Sequence, residues 1–245
     1  MLKTFSGGRL LADQFGISPP SILALHGWAR DRQDFSTALA DLDALAVDLP
    51  GFGLSPPPAD AWGTIEYAQC LLPVLQEYSS PPIIIGHSFG GRVAVRLASL
   101  FPDRVRGLVL TGVPLLRTNS SRSVPPLAIR AARNLTHKGL LPHSFLERLR
   151  NKHGSADYRA TEGIMRKIFV RVVNENYEQD LQNLRCQVQM VWGAADTETL
   201  PEIAHRAAAM IPRVEVTIVP NVGHFLPISA PKQICAAVHR LRESQ

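Results

Sequence analysis

Short, nearly unbroken apolar runs alternate along this chain with longer stretches in which apolar residues recur every three or four positions. The runs at 21–25 (SILAL), 45–48 (LAVD), 83–85 (III), 108–110 (LVL), 188–192 (VQMVW) and 215–219 (EVTIV) read as strands. The helical spacing falls over Asp34–Leu42, Ile65–Tyr78, Gly90–Phe101, Pro201–Met210 and Ala230–Leu241. Strands this apolar have no polar face to offer water, so helices must cover both faces of the sheet, and the helix between successive strands makes them parallel. The pattern predicts an α/β fold with a mostly parallel sheet flanked by helices, and Thr4–Ala12 adds an antiparallel hairpin strand at its edge.

The strand–helix rhythm stops at Pro114 and resumes after Arg185. Between them, helical spacing recurs in Leu127–Leu135, Ser144–Asn151 and Thr161–Asn174, with no apolar run that reads as a strand. The expected organisation is a core domain built from 1–113 and 186–245, with 114–185 inserted as a helical cap over the C-terminal edge of the sheet. The 245 residues, 45% hydrophobic and 19% charged, suit one such domain and exclude general disorder.

Charge sharpens this division. The net charge of +5 is too small to indicate a partner by itself, but residues 114–185 carry 13 Lys and Arg against 6 Asp and Glu. The basic excess therefore belongs to the inserted segment and the remainder is slightly acidic. Such a segment fits an anionic partner or an arginine-rich solvated surface; a nucleic-acid partner is not expected, because no recognition motif or aromatic-interleaved groove accompanies it. Cys70, Cys186 and Cys235 are odd in number and widely spaced, which argues against a disulfide framework, and no metal-ligand spacing occurs. The opening residues show no apolar signal core and no run is long enough to span a membrane, so the expectation is a cytoplasmic chain with no membrane partner.

The candidate chemistry begins at Gly86-His87-Ser88-Phe89-Gly90, a G-x-S-x-G sequence between a strand and a helix. A sharp turn there lifts the serine above the sheet edge, and glycines on either side make room for it. A serine hydroxyl needs a base, and the base needs an orienting group. His224 follows the last strand and Asp196 follows the strand before it, so both belong at the edge that carries Ser88. His26, His87, His205 and His239 are the other histidines weighed as the base. His26 and His87 fall where they line or support the pocket, and the other two lie inside helices. Among the acids, Asp48 precedes a Pro-Gly turn and suits a structural role, and Glu198 lies two residues beyond Asp196. His26-Gly27-Trp28 follows the first core strand, which allows the backbone N–H groups of Trp28 and Phe89 to form an oxyanion hole. Trp28, His87 and Phe225 are the expected substrate-binding residues.

LHGW (25–28), DLPGFGLS (48–55), GHSFGG (86–91), WGAAD (192–196) and VGHF (222–225) together resemble the α/β-hydrolases, in the same order along the chain. LHGW with DLPGFG is similar to the pimeloyl-acyl-carrier-protein methyl ester carboxylesterase group. The resemblance implies a Ser88–Asp196–His224 triad, a Trp28 and Phe89 oxyanion hole, no cofactor and no metal. It implies hydrolysis of a small-molecule carboxylic ester, anionic or acyl-carrier-linked. The same fold also supports thioesterases, acyl transfer, C–C bond hydrolysis and ligand reception. Serine at the elbow argues against the dehalogenase and epoxide-hydrolase branches, which place aspartate there.

Overall fold

A computed structural model describes residues 1–116, 131–132, 134–136, 138–142, 144–145 and 156–243. The strands are β1 (Leu2–Phe5), β2 (Leu10–Phe15), β3 (Ile22–Leu25), β4 (Ala44–Asp48), β5 (Ile83–His87), β6 (Gly107–Thr111), β7 (Gln187–Gly193) and β8 (Val214–Val219). They form one sheet in the order β1-β2-β4-β3-β5-β6-β7-β8. From β4 to β8 every neighbouring pair is parallel, and the β1–β2 hairpin joins β4 antiparallel, with Ala12 opposite Val47. This is the mostly parallel sheet the sequence pattern predicts, including the hairpin at the edge, and it is the fold that the resemblance to the α/β-hydrolases implies.

Alternation along the parallel strands builds two cores. Leu23, Leu25, Ile84, Leu108, Leu110 and Trp192 point to one face, under helices α1 (Thr64–Cys70) and α3 (Phe89–Leu100). Ile22, Ala24, Ile83, Ile85, Val109 and Val191 point to the other, where Phe35, Leu39 and helix α9 (Pro231–Glu243) cover them. Both faces are apolar because both are sealed, which is why the strands lack a polar register.

Two predicted helices come out differently. The periodicity over 65–78 is one amphipathic pattern, but the structure divides it into α1 and a short α2 (Leu72–Leu75). Pro73 has no N–H to return to the preceding turn, so the ladder is interrupted around Leu71. Over 34–42 there is only a 3-10 turn at Arg32–Phe35 followed by irregular turns. Phe35, Ala38, Leu39 and Leu42 are all buried as the spacing requires. Locally, however, Asp31 accepts from the Gln33 N–H and the Ser36 hydroxyl donates to the Gln33 carbonyl, drawing backbone groups away from a helical ladder.

The segment between β6 and β7 contains α4 (Ala156–Ala160), α5 (Gly163–Val173) and α6 (Glu178–Asn183). Helix α5 falls within the spacing at Thr161–Asn174. Most of the predicted helices at Leu127–Leu135 and Ser144–Asn151 lies outside the described residues. Polar contacts fasten α5 and α6 to the core helices. Glu175 accepts from the Thr64 N–H at 3.0 Å and the Tyr177 hydroxyl at 2.8 Å. Arg96 pairs with Asp180 at 2.6 Å. The buried Arg92 guanidinium donates to the Pro114 and Val172 carbonyls and lies over the Tyr177 ring. Two further helices are α7 (Pro201–Ala208), between β7 and β8, and the one-turn α8 (Leu226–Ser229), before α9. Among the described residues no helix is long and apolar enough to cross a membrane.

Candidate active site

The C-terminal ends of β3, β5, β7 and β8 bring the predicted residues to one edge of the sheet. Ser88 stands between the last residue of β5 and the first of α3 with φ 48° and ψ −111°, a conformation that costs a non-glycine residue about 1–3 kcal/mol. The surroundings hold it there. The Ser88 N–H donates to the Thr111 carbonyl at the end of β6, and the Gly90 N–H donates to the His26 carbonyl at 3.0 Å. A Cβ on Gly90 would overlap the Leu25 carbonyl, so glycine is required for α3 to approach β3 this closely.

His224 Nδ1 lies 2.8 Å from Asp196 Oδ2, and both residues are buried. The other carboxylate oxygen of Asp196 accepts from the N–H groups of Glu198 and Thr199 at 2.9 and 2.8 Å. With Oδ1 taken by two backbone donors, Oδ2 is left to face the imidazole. His224 therefore carries its proton on Nδ1 and presents the Nε2 lone pair outward. Of the two acids weighed from the sequence, Asp196 is the one that meets Nδ1. Glu198 reaches the opposite side of the same ring, with Oε2 at 3.6 Å from Nε2. Among the described residues Ser88 Oγ has no hydrogen-bond partner.

The HG turn after β3 is held by its own histidine. His26 is fully buried; its Nε2 accepts from the Leu49 N–H at 2.9 Å, so Nδ1 carries the hydrogen and donates to the Gly27 carbonyl at 2.7 Å. Burial depresses its pKa, which keeps the ring neutral and able to serve as both acceptor and donor. His26 thus ties the turn after β3 to the turn after β4. Neither the Trp28 nor the Phe89 N–H has a partner among the described residues, leaving both donors available.

His87 sits against the ring of His224 rather than on an open wall. It is 1% exposed, its ring centroid lies 4.9 Å from that of His224, and Nδ1 lies 3.1 Å from the Thr111 carbonyl oxygen. Donation to that carbonyl places the hydrogen on Nδ1, and Nε2 remains buried without a partner among the described residues. Burial, with the neighbouring His224 second, lowers its pKa to about 3. Phe225 is 41% exposed at the rim, 5.5 Å from His224 between centroids. His205 and His239 are exposed on α7 and α9, away from this edge.

Above the Trp28 and Phe89 amides lies an aromatic wall only partly anticipated. The Trp28 ring meets Phe52, Phe89 and Phe169 edge-on at 4.9, 5.2 and 5.1 Å between centroids. Phe169 comes from α5, so the inserted segment contributes directly to the site. Phe52 lies in the Pro-Gly turn after β4, and its position at the C-terminal sheet edge was the available signal for it. Asp48, set aside as structural, is fully buried and accepts from the Arg32 and Leu54 N–H groups and the Arg32 guanidinium, which fixes the Phe52 turn. The thiols lie outside the site: all three are free, and burial pushes Cys70 up to about 12 and Cys186 to about 11, which keeps them protonated and unreactive.

Comparison with known proteins identifies the family. The model of the alpha/beta hydrolase family matches residues 22–238. An esterase of Mycobacterium tuberculosis is 37% identical over 116 residues, covering 46% of this chain and 39% of that protein. A pimeloyl-[acyl-carrier protein] methyl ester esterase of Neisseria meningitidis is 40% identical over 96 residues, covering 37% of this chain and 35% of the relative. Both alignments therefore span well under half of the relatives' length. The structure of an esterase from Exiguobacterium antarcticum superimposes with a TM-score of 0.74, over 98% of this chain and 99% of the other, at 16% identity. That likeness concerns the fold.

Proposed function

The chain belongs to the alpha/beta hydrolase family, and on that premise we propose that it is a serine hydrolase that cleaves carboxylic esters through an acyl-enzyme intermediate. The observation that carries the reading is the imidazole of His224, oriented by Asp196 at 2.8 Å on the same sheet edge as the strained elbow serine. In the acylation step His224 Nε2 takes the Ser88 hydroxyl proton as Oγ attacks the ester carbonyl. The Trp28 and Phe89 N–H groups bind the oxyanion that develops, a contribution of about 3–4 kcal/mol for a single well-placed donor. Collapse of the tetrahedral intermediate breaks the C–O bond, and Nε2 returns the proton to the departing alcohol. Water then enters where the alcohol left and adds to the acyl carbonyl as it loses a proton to Nε2; the acyl–Oγ bond breaks, Nε2 returns the proton to Ser88 Oγ and the acid departs.

Trp28, Phe52 and Phe169 form the apolar wall for the acyl chain, and Phe225 stands at the rim. His87 acts beneath them, as a neutral support for His224. Residues 114–185 act as the cap, since α5 supplies Phe169 and lies against the Trp28 side of the site. The basic balance of that segment and the similarity to an acyl-carrier-protein methyl ester esterase support an acyl portion that is anionic or carrier-linked.

A fluorophosphonate probe tests the reading. It should label wild-type protein on Ser88 and fail on Ser88→Ala, with hydrolysis of p-nitrophenyl butyrate lost in parallel. Ester hydrolysis that survives Ser88→Ala would overturn it. A panel varying acyl charge, measured at low and high salt, tests the cap: a preference for anionic acyl groups that fades with salt supports it, and indifference opposes it.

A further inference from the structure

We propose that Glu198 makes the alcohol side of the ester site selective for charge, favouring esters whose leaving alcohol carries a cation and disfavouring anionic ones. The inference rests on the ester-hydrolase reading above and names a substrate class within it.

The argument is geometric. Glu198 lies in the loop after β7, and its backbone N–H donates to Asp196 Oδ1 at 2.9 Å, so the residue is anchored by the same carboxylate that orients the histidine. Its side chain reaches back to the same histidine, placing Oε2 at 3.6 Å from His224 Nε2. That nitrogen hands a proton to the leaving alcohol, whose oxygen must come within about 3 Å of it. The Glu198 carboxylate is therefore no more than about 7 Å from the alcohol oxygen, whatever the ester. A cation two or three bonds beyond that oxygen falls within reach of the carboxylate.

Among the described residues Glu198 makes no ion pair with lysine or arginine and its carboxylate has no hydrogen bond. The nearby Arg30 lies over the Phe225 ring at 5.3 Å, but it is engaged by both oxygens of Asp34, so that pair adds no net charge. The Phe225 ring itself is 41% exposed beside His224 and already holds one cation, Arg30, over it. The inserted segment 114–185, proposed above as the cap on the acyl side, has the opposite balance in its sequence. The two ends of the substrate would then be distinguished by charge as well as by shape.

The Glu198 side chain is 57% exposed, so water and salt weaken its field. The expected effect is about threefold to tenfold in kcat/KM for one charge on the alcohol, at low ionic strength.

The test uses three butyrate esters that share an acyl group: butyrylcholine, its uncharged isostere 3,3-dimethylbutyl butyrate, and the butyrate ester of a short hydroxyalkanesulfonate. Acid release is followed by pH-stat with wild type, Glu198→Gln and Glu198→Lys. Each charged ester is normalised to the neutral one in the same enzyme, and the ratios are then compared between enzymes, so intrinsic reactivity cancels. The cationic-to-anionic ratio should fall about tenfold or more in Glu198→Gln and further in Glu198→Lys, and the differences should shrink with added salt. Ratios that stay the same in all three enzymes, with the neutral ester still hydrolysed, would overturn the role of Glu198 and leave the hydrolase reading standing. If wild type hydrolyses none of the three and resists fluorophosphonate, the hydrolase reading falls and this inference with it.

Discussion

Replacing Asp196 by asparagine removes one charge and no volume, and the structure dictates how the new amide must sit. Oδ1 accepts two backbone N–H groups at 2.9 and 2.8 Å, and only an oxygen can take that place. Turning the amide over would set an NH2 group against two donors, at a cost of about 2–4 kcal/mol for two lost hydrogen bonds and the unpaired groups left behind. The NH2 group therefore faces His224 Nδ1, which must become an acceptor. The imidazole hydrogen moves to Nε2, and the lone pair that should take the Ser88 proton disappears. A histidine held in the wrong tautomer costs about 10⁴ in kcat, equivalent to about 5.5 kcal/mol in the barrier. Because the isosteric amide keeps the loop contacts, folding stability should change by only about 1 kcal/mol. The assay is kcat and KM for p-nitrophenyl butyrate beside a urea unfolding curve. A loss of about three to four orders of magnitude in kcat, with KM and stability nearly unchanged, is the expected result. An Asp196→Asn enzyme within tenfold of wild type would refute the reasoning about the tautomer.

Ser88→Gly removes the Cβ from a position at φ 48°, so it should abolish hydrolysis while raising unfolding free energy by about 1 kcal/mol, read from urea curves. Asp48→Ala strips a buried guanidinium of its main partner and should destabilise the fold by about 3–5 kcal/mol, seen as a lower urea midpoint. Acid should destabilise the chain through His87. Unfolded, it binds a proton below its ordinary pKa of 6.5, but folded it stays neutral down to about 3. Its contribution is complete above pH 6.5 and is lost as pH falls toward 3, amounting to about 2–3 kcal/mol by pH 4.5. In His87→Gln the loss of unfolding free energy between pH 7 and 4.5 should shrink by that amount.

The sheet was legible because parallel strands sealed on both faces leave a plain mark, and Ile83, Ile84 and Ile85 could hardly belong elsewhere. The placement of Ser88, Asp196 and His224 followed from the same source, since each stands just beyond the C-terminal end of a strand. Helix boundaries were harder to read where local chemistry overrode apolar spacing, as Pro73 does between α1 and α2 and as Asp31 and Ser36 do before Leu39. His87 was expected to help bind substrate, yet it shares its strand face with Ile83 and Ile85 and is sealed in the same way. Period-two alternation carried that information. Glu198 was visible only as a rival to Asp196. That the two acids take opposite sides of one imidazole depends on the path of the loop after β7, which no local pattern encodes.

The most direct test of the account is the covalent state of Ser88 during turnover. Wild-type protein mixed with p-nitrophenyl butyrate, quenched in acid before steady state and digested, should yield the Ser88 peptide heavier by one butyryl group. That adduct should be absent from Ser88→Ala and should decay once substrate is exhausted. Turnover at the wild-type rate with the butyryl group on another residue, or on none at any quench time, would contradict the acyl-enzyme mechanism.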